Sequence, residues 1–134
     1  MLIKDFCDKH KACKAGYARA KHFKNMDDFL ENSEDYTDVI WACTRVMTKK
    51  EKVQFCCWCV RPMWDLLNDE RSRNAIIVGE KYVQGLATDW ELEVAAHAAA
   101  YHTAAANAHG IDANAARKKQ VEYLKNNFVF NWEG

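Results

Sequence analysis

The sequence predicts an all-α protein, a single irregular helical bundle of about six to seven helices. Proline occurs once in 134 residues and glycine five times, so little interrupts a helical chain. Runs of β-branched residues are short, and the Asn-Gly and Asp-Gly pairs typical of β-hairpins do not occur. Apolar residues make up 49% of the chain, which is typical of a folded core, and the length suits one domain over residues 1–134.

Seven helices are expected from the start and stop signals along the chain. They span roughly 3–22, 26–32, 35–46, 49–67, 70–84, 89–109 and 112–127. The first helix carries Gly16, and we expect a break near this residue. Asn25 suits the N-cap of the second helix, because its side chain accepts backbone amides and the helix dipole favours the two aspartates that follow.

The fourth and fifth helices have the clearest boundaries. Thr48 and Glu51 form a capping box, in which each side chain binds the backbone amide of the other residue. Either Asn68 or Asp69 is expected to cap the fifth helix. Gly85 is expected to end it, because glycine tolerates the left-handed conformation common after a helix.

The fourth helix is expected at the centre of the bundle. Its apolar residues form two stripes, and a helix that is apolar on two faces is surrounded by others. Pro62 lacks a backbone donor and clashes with the preceding turn, so it predicts a kink near residues 58–62. The main stripe consists of Val53, Cys57, Val60, Trp64 and Leu67, and the second of Phe55, Cys59 and Leu66.

The sixth helix begins with a second capping box, formed by Thr88 and Glu91. From residue 95 to 108 it is nearly all alanine, and such small side chains let a neighbouring helix approach closely. Self-association through this helix is therefore a possible route to a homo-oligomer. Gly110 is expected to end the helix, and the apolar tail 128–132 is expected to dock on the body of the protein.

Charge is segregated along the chain although its sum is zero. Residues 1–24 carry seven basic and two acidic groups, whereas residues 25–40 carry six acids and no base. Either the two segments pack side by side, or the basic one meets an acidic partner. Lys4, Lys11 and Lys14 are therefore candidate binding residues. The net charge of zero argues against a uniformly basic surface, so direct nucleic-acid binding is not expected.

Four further candidate binding residues surround the end of the fourth helix. Arg61, Arg71 and Arg73 flank Trp64 in the sequence, and arginine with tryptophan is typical of interface hot spots. The same composition also ties helix junctions together, where an arginine bonds to helix-end carbonyls or to Asp69. Both interpretations stay open at the level of the sequence.

The residues predict no catalytic site, no cofactor and no metal. The chain has no P-loop, no Gly-x-Gly-x-x-Gly and no Gly-x-Ser-x-Gly motif. Six cysteines without an export signal indicate reduced, mostly buried thiols. A zinc site is an alternative, although the spacing matches no standard signature. Its ligands would come from Cys7, His10, Cys13, Cys56 and Cys59.

Segments 41–45, 55–61, 64–75, 80–82 and 85–92 carry a resemblance to a known family. They cover about 55 of 134 residues, and the most specific part is Leu-Leu-Asn-Asp-Glu-Arg-Ser-Arg at 66–73, followed by the alanine-rich helix. This pattern resembles the alanine-rich small proteins of tailed phages and the immunity-protein domains of bacteria, and the 7–13 stretch is similar to the N-termini of the phage members. Pro62 departs from the family pattern.

The resemblance implies an all-helical protein of a phage or mobile element, in the cytosol of a host bacterium, with no catalytic residues to transfer. We expect a non-enzymatic protein that binds and blocks a bacterial host or toxin protein, of the immunity or counter-defence type, such as an anti-CRISPR. The alternatives are a structural, homo-oligomeric helical module and a Cys/His zinc-stabilised protein. No membrane partner is expected, because no apolar run reaches about 18 residues.

Overall fold

The computed structural model describes residues 1–106 and 113–134, and within them all regular secondary structure is helical, as predicted. These residues form eight α-helices, and a 3-10 helix, Arg61–Leu66, lies between α5 and α6. The α-helices are α1 (Ile3–His10), α2 (Lys14–Ala20), α3 (Met26–Asn32), α4 (Tyr36–Val46), α5 (Lys49–Val60), α6 (Glu70–Val83), α7 (Asp89–Ala106) and α8 (Ala113–Asn127). No described helix has the length and apolar composition that a membrane crossing requires.

The first expected helix is two helices, and the break lies at Lys11 rather than near Gly16. Lys11 has φ 56° and ψ 46°, and its backbone N–H donates to the Cys7 carbonyl. This left-handed residue ends α1, and Cys13 then starts α2 by accepting the Gly16 N–H on its Sγ at 3.3 Å. Gly16 itself lies inside α2, so the predicted break exists but falls earlier in the chain, at residues 11–13.

The expected kink near Pro62 is confirmed. The α-helix ends at Val60, and the chain continues as the tighter 3-10 helix, in which Met63 leaves helical geometry with φ −99° and ψ 16°. The change of helical repeat alters which residues face inward. Leu66, expected on the second apolar stripe, is consequently 56% exposed, and that assignment was wrong.

Helix starts fall where the sequence places them. The Asn25 Oδ1 accepts the Asp28 N–H at 2.9 Å. Thr48 forms the expected capping box, in which its Oγ1 accepts from Glu51 and its own N–H donates to the Glu51 carboxylate. The same reciprocal pair joins Thr88 to Glu91 at 3.1 Å in both directions.

The boundaries of α6 are also explained by local chemistry. Asp69, and not Asn68, caps its start by accepting the Arg71 N–H at 2.8 Å. Gly85 closes its end with φ 78°, which glycine adopts without strain. Gly110, expected to end the alanine-rich helix, lies outside the described residues.

The helices fall into two compact units. The terminal unit contains α1–α4, α8 and the C-terminal tail, and the middle unit contains α5–α7. Each unit has packed helix pairs of its own: α4 packs against α8 in the terminal unit, and α6 packs against both α5 and α7 in the middle unit. The organisation of residues 1–134 as a single domain stays a prediction.

The terminal unit has a core of apolar side chains from all its helices and from the tail. Trp132 is 4% exposed, with its ring 5.7 Å from Phe6 and stacked on Phe130 at 5.3 Å. Its indole Nε1 donates to the Asp27 carboxylate at 3.0 Å. The docking of the tail, expected from its apolar composition, is therefore confirmed.

The middle unit is built on the main stripe of the fourth predicted helix. Cys57, Val60 and Leu67 are buried together with Ile76 of α6. The remaining stripe residues, Val53 and Trp64, are partly buried against this cluster. The stripe crosses from α5 through the 3-10 helix, so Pro62 changes the helix type without breaking the apolar face.

Candidate functional site

The arginines around Trp64 tie a helix junction of the middle unit. The guanidinium carbon of Arg61 lies 4.1 Å from the centre of the Trp64 ring, and that of Arg73 lies 5.2 Å away. Arg61 also donates twice to the Glu80 carboxylate, at 3.1 and 3.0 Å, and Arg73 donates to the Trp64 carbonyl at 3.3 Å. These contacts link the 3-10 helix to α6.

Arg71, the remaining candidate of this group, bonds to the capping residue of its own helix. Its guanidinium donates to both oxygens of Asp69, at 3.2 and 3.1 Å. The four candidates Arg61, Trp64, Arg71 and Arg73 thus have intramolecular partners. Of the two interpretations open from the sequence, the geometry favours the structural one, because a partner protein would have to compete with these contacts.

The basic candidates are surface residues of the terminal unit. Lys4 is on α1, Lys11 ends that helix, and Lys14 opens α2; all three are exposed. Lys4 stands 3.8 Å from the Asp8 carboxylate, whereas Lys11 and Lys14 make no ion pair with any described residue. The adjacent acidic segment is paired in part, because Asp38 binds Arg19 with two hydrogen bonds of 2.7 and 2.9 Å.

The proposed zinc ligands are divided between the two units. Cys7, His10 and Cys13 belong to the terminal unit, while Cys56 and Cys59 belong to the middle unit. Among the described residues, no three His, Cys, Asp or Glu side chains are grouped to hold a metal ion.

Burial shifts the pKa values of several thiols and of His10. Burial raises the pKa of Cys43 and of Cys59 to about 12, and that of Cys57 to about 11, so these thiols stay protonated at neutral pH. Burial, helped by Lys9 and Arg45, lowers the pKa of His10. The His10 ring lies 4.5 Å from that of Phe6.

A cavity of about 360 Å³ lies in the terminal unit, among α1–α4 and the link between α1 and α2. Buried apolar side chains, including Phe6, Met26 and Phe29, form much of its wall. The polar part of the lining comes from Lys11, Arg19, Asp38, Thr37, Cys7 and Cys13. Sequence reasoning found Lys11 and both thiols, but it missed the cavity, because the wall comes from four helices.

Helix α7 carries a second feature that sequence reasoning missed. Trp90 is 76% exposed and Val94, one turn later, is 51% exposed. They lie opposite Leu92 and Ala95, which are buried on the inner face of the helix. Leu86, in the loop that precedes the helix, is 69% exposed. The sequence signal was available, since Trp90 and Val94 are four residues apart and out of phase with Leu92.

The edges of this α7 face are acidic. Glu91 and Glu93 lie on opposite flanks of the line from Trp90 to Val94, as the helical repeat requires. Lys49 of α5 donates to Glu93 at 3.1 Å and to Asp89 at 3.2 Å, which neutralises part of one flank. The face is therefore an apolar strip with an acidic border.

Comparison with protein-family models, with curated proteins and with solved structures finds no match to this chain. The resemblance to small phage proteins and immunity domains therefore stays a prediction.

Proposed function

We propose that this chain is a small non-enzymatic binding protein that covers and blocks the surface of a bacterial protein. The role is of the immunity or counter-defence type implied by the resemblance to phage and immunity proteins. The observation that carries the proposal is the exposed α7 face of Trp90, Val94 and the adjacent Leu86. A tryptophan three-quarters exposed, one turn from an exposed valine and preceded by a loop with an exposed leucine, is unfavourable in water and typical of a binding surface.

The chemistry of the face defines the partner that it fits. Trp90 is the anchor, and it requires an apolar pocket on the partner. The acidic border formed by Glu91 and Glu93 favours basic residues around that pocket. The inner face of α7 is held against α6, so the outer face is presented on a fixed helix and little ordering is required on binding.

Capture from bacterial lysate with tagged variants tests the proposal. Trp90→Ala removes the anchor, whereas Leu66→Ala removes another exposed apolar side chain of the same unit and serves as the matched control. We expect one stoichiometric protein to be retained by the wild type and by Leu66→Ala, and to be lost with Trp90→Ala while circular dichroism stays unchanged. The purified protein should then lower the activity of that partner.

Three results would contradict the proposal. Retention of nothing, or equal loss in both variants, would remove the α7 face as a binding surface. Light scattering that shows a dimer abolished by Trp90→Ala, with no other protein retained, would instead establish the homo-oligomeric module.

A further inference from the structure

The cavity of the terminal unit has a charge arrangement that points to a ligand. Three charged residues contribute to its lining: Lys11, Arg19 and Asp38. Arg19 and Asp38 satisfy each other through two hydrogen bonds of 2.7 and 2.9 Å, and their charges cancel. Lys11 makes no ion pair with a described residue. The largely apolar lining therefore includes one exposed lysine, Lys11, that has no ion-pair partner among the described residues.

The backbone at Lys11 supplies a second, independent observation. Among the described residues it is the one non-glycine with a positive φ, 56°. The position directly after a helix is where glycine is most common, because any side chain is strained in this conformation. A lysine held there at a cost in stability is typical of a residue kept for its side chain. Lys11 is one of the residues that line the cavity.

We propose that this cavity binds a small amphipathic carboxylate, with its apolar part against the half-buried Trp41 and Ala12 and its carboxylate at Lys11. The volume of about 360 Å³ is roughly twice the ~150 Å³ that accommodates benzene in an engineered apolar cavity. It therefore suits a medium-length acyl chain or a bicyclic ring. This inference is independent of the α7 face, because the cavity is formed entirely by the terminal unit.

Titration calorimetry with decanoate, and with decanol as the neutral ligand of equal chain length, tests the proposal. We expect the wild type to bind one decanoate per chain and to bind decanol more weakly. Lys11→Gln should weaken decanoate binding by about threefold to tenfold and change decanol binding by less than about twofold. Lys14→Gln removes an equal charge that does not line the cavity, and it should leave both affinities nearly unchanged.

Lys11→Gly separates the role of the side chain from the integrity of the fold. Glycine relieves the left-handed strain, so this variant should melt at a higher temperature than the wild type while it binds decanoate as weakly as Lys11→Gln. A loss of affinity in a more stable protein excludes misfolding as its cause. Decanoate should also slow alkylation of Cys7, which lines the cavity, without slowing that of Cys56 in the middle unit.

Three results would overturn the proposal. Absence of saturable binding of either ligand would show that the cavity takes no acyl chain. Equal affinity for decanoate and decanol would remove the carboxylate contact. Equal weakening by Lys11→Gln and Lys14→Gln would show a diffuse attraction to the basic surface in place of a site at Lys11.

Discussion

Gly79 gives a sharp test of how closely α5 and α6 pack. A Cβ atom added at Gly79 would lie 2.7 Å from the Cys57 Sγ and 3.4 Å from the Val53 Cγ1. The first distance is too short for any real contact, so Gly79→Ala forces a shift in a buried region. Cys57 is a short side chain in the core cluster, and it has little freedom to move aside.

The magnitude follows from two opposing effects. Alanine in place of a helical glycine stabilises by about 1 kcal/mol, while overpacking a core costs about 1–3 kcal/mol. We therefore expect Gly79→Ala to lower the free energy of unfolding by about 1 kcal/mol. Gly16→Ala is the matched control, since its nearest neighbours would lie 3.5 and 3.8 Å away, in ordinary contact. It should stabilise by about 0.5–1 kcal/mol.

Urea denaturation followed by circular dichroism measures both changes. Combining Gly79→Ala with Cys57→Ala removes the clashing sulfur, so the double variant should be more stable than the sum of the single changes predicts, by about 1 kcal/mol or more. The reasoning is refuted if Gly79→Ala stabilises as much as Gly16→Ala, or if the double-mutant cycle shows no coupling.

Three further predictions concern the terminal unit. Trp132→Ala removes a buried ring and its hydrogen bond to Asp27, so it should lower the free energy of unfolding by about 3–5 kcal/mol. Urea denaturation measures this change, and a loss below about 1 kcal/mol would contradict the docking of the tail. Folding lowers the pKa of His10 because its half-buried ring is held neutral. The stability that this neutral ring contributes is fully present above about pH 6.5, the pKa of histidine in the unfolded chain, and it is lost as the pH falls through the folded pKa. His10→Phe should therefore flatten the pH dependence of the melting temperature between about pH 7.5 and pH 5. If the slope is unchanged, this pH dependence comes from other titratable groups. Cys43 is fully buried with its pKa raised to about 12, so mass spectrometry should find the exposed Cys13 alkylated in the native protein well before Cys43, whereas equal rates would show that α4 opens readily.

Much of the fold was predictable because its signals are local. Capping depends on residues within three positions of one another, so Asn25, Thr48 and Thr88 locate their helices without knowledge of the rest of the chain. Pro62 clashes with the turn that precedes it, so the kink was predictable from a single residue. The left-handed break at Lys11 was missed because glycine is the usual signal for it, and Gly16 stood nearby.

The candidate sites were less predictable, because they depend on which surfaces remain exposed after the helices have packed. The arginines beside Trp64 fitted both an interface and a helix junction, and the sequence favoured the junction without deciding it. The choice followed only from the position of Glu80 on α6, nineteen residues from Arg61. Trp90 was not predicted as a binding residue. Periodicity shows that two faces of α7 are apolar, but it does not show which face is buried against a neighbouring helix.

The sequence by itself determined the all-helical class, the starts of most helices and the apolar stripe through Pro62, since these follow from propensities and contacts within a few residues. Tertiary structure alone decided that α1–α4 line a cavity, that Lys11 is the charged residue of its lining without an ion-pair partner among the described residues, and that Trp90 faces outward. Burial and charge pairing between distant segments are properties of the packed chain. The cavity exists only where side chains of four different helices come together, so no local sequence pattern can reveal it.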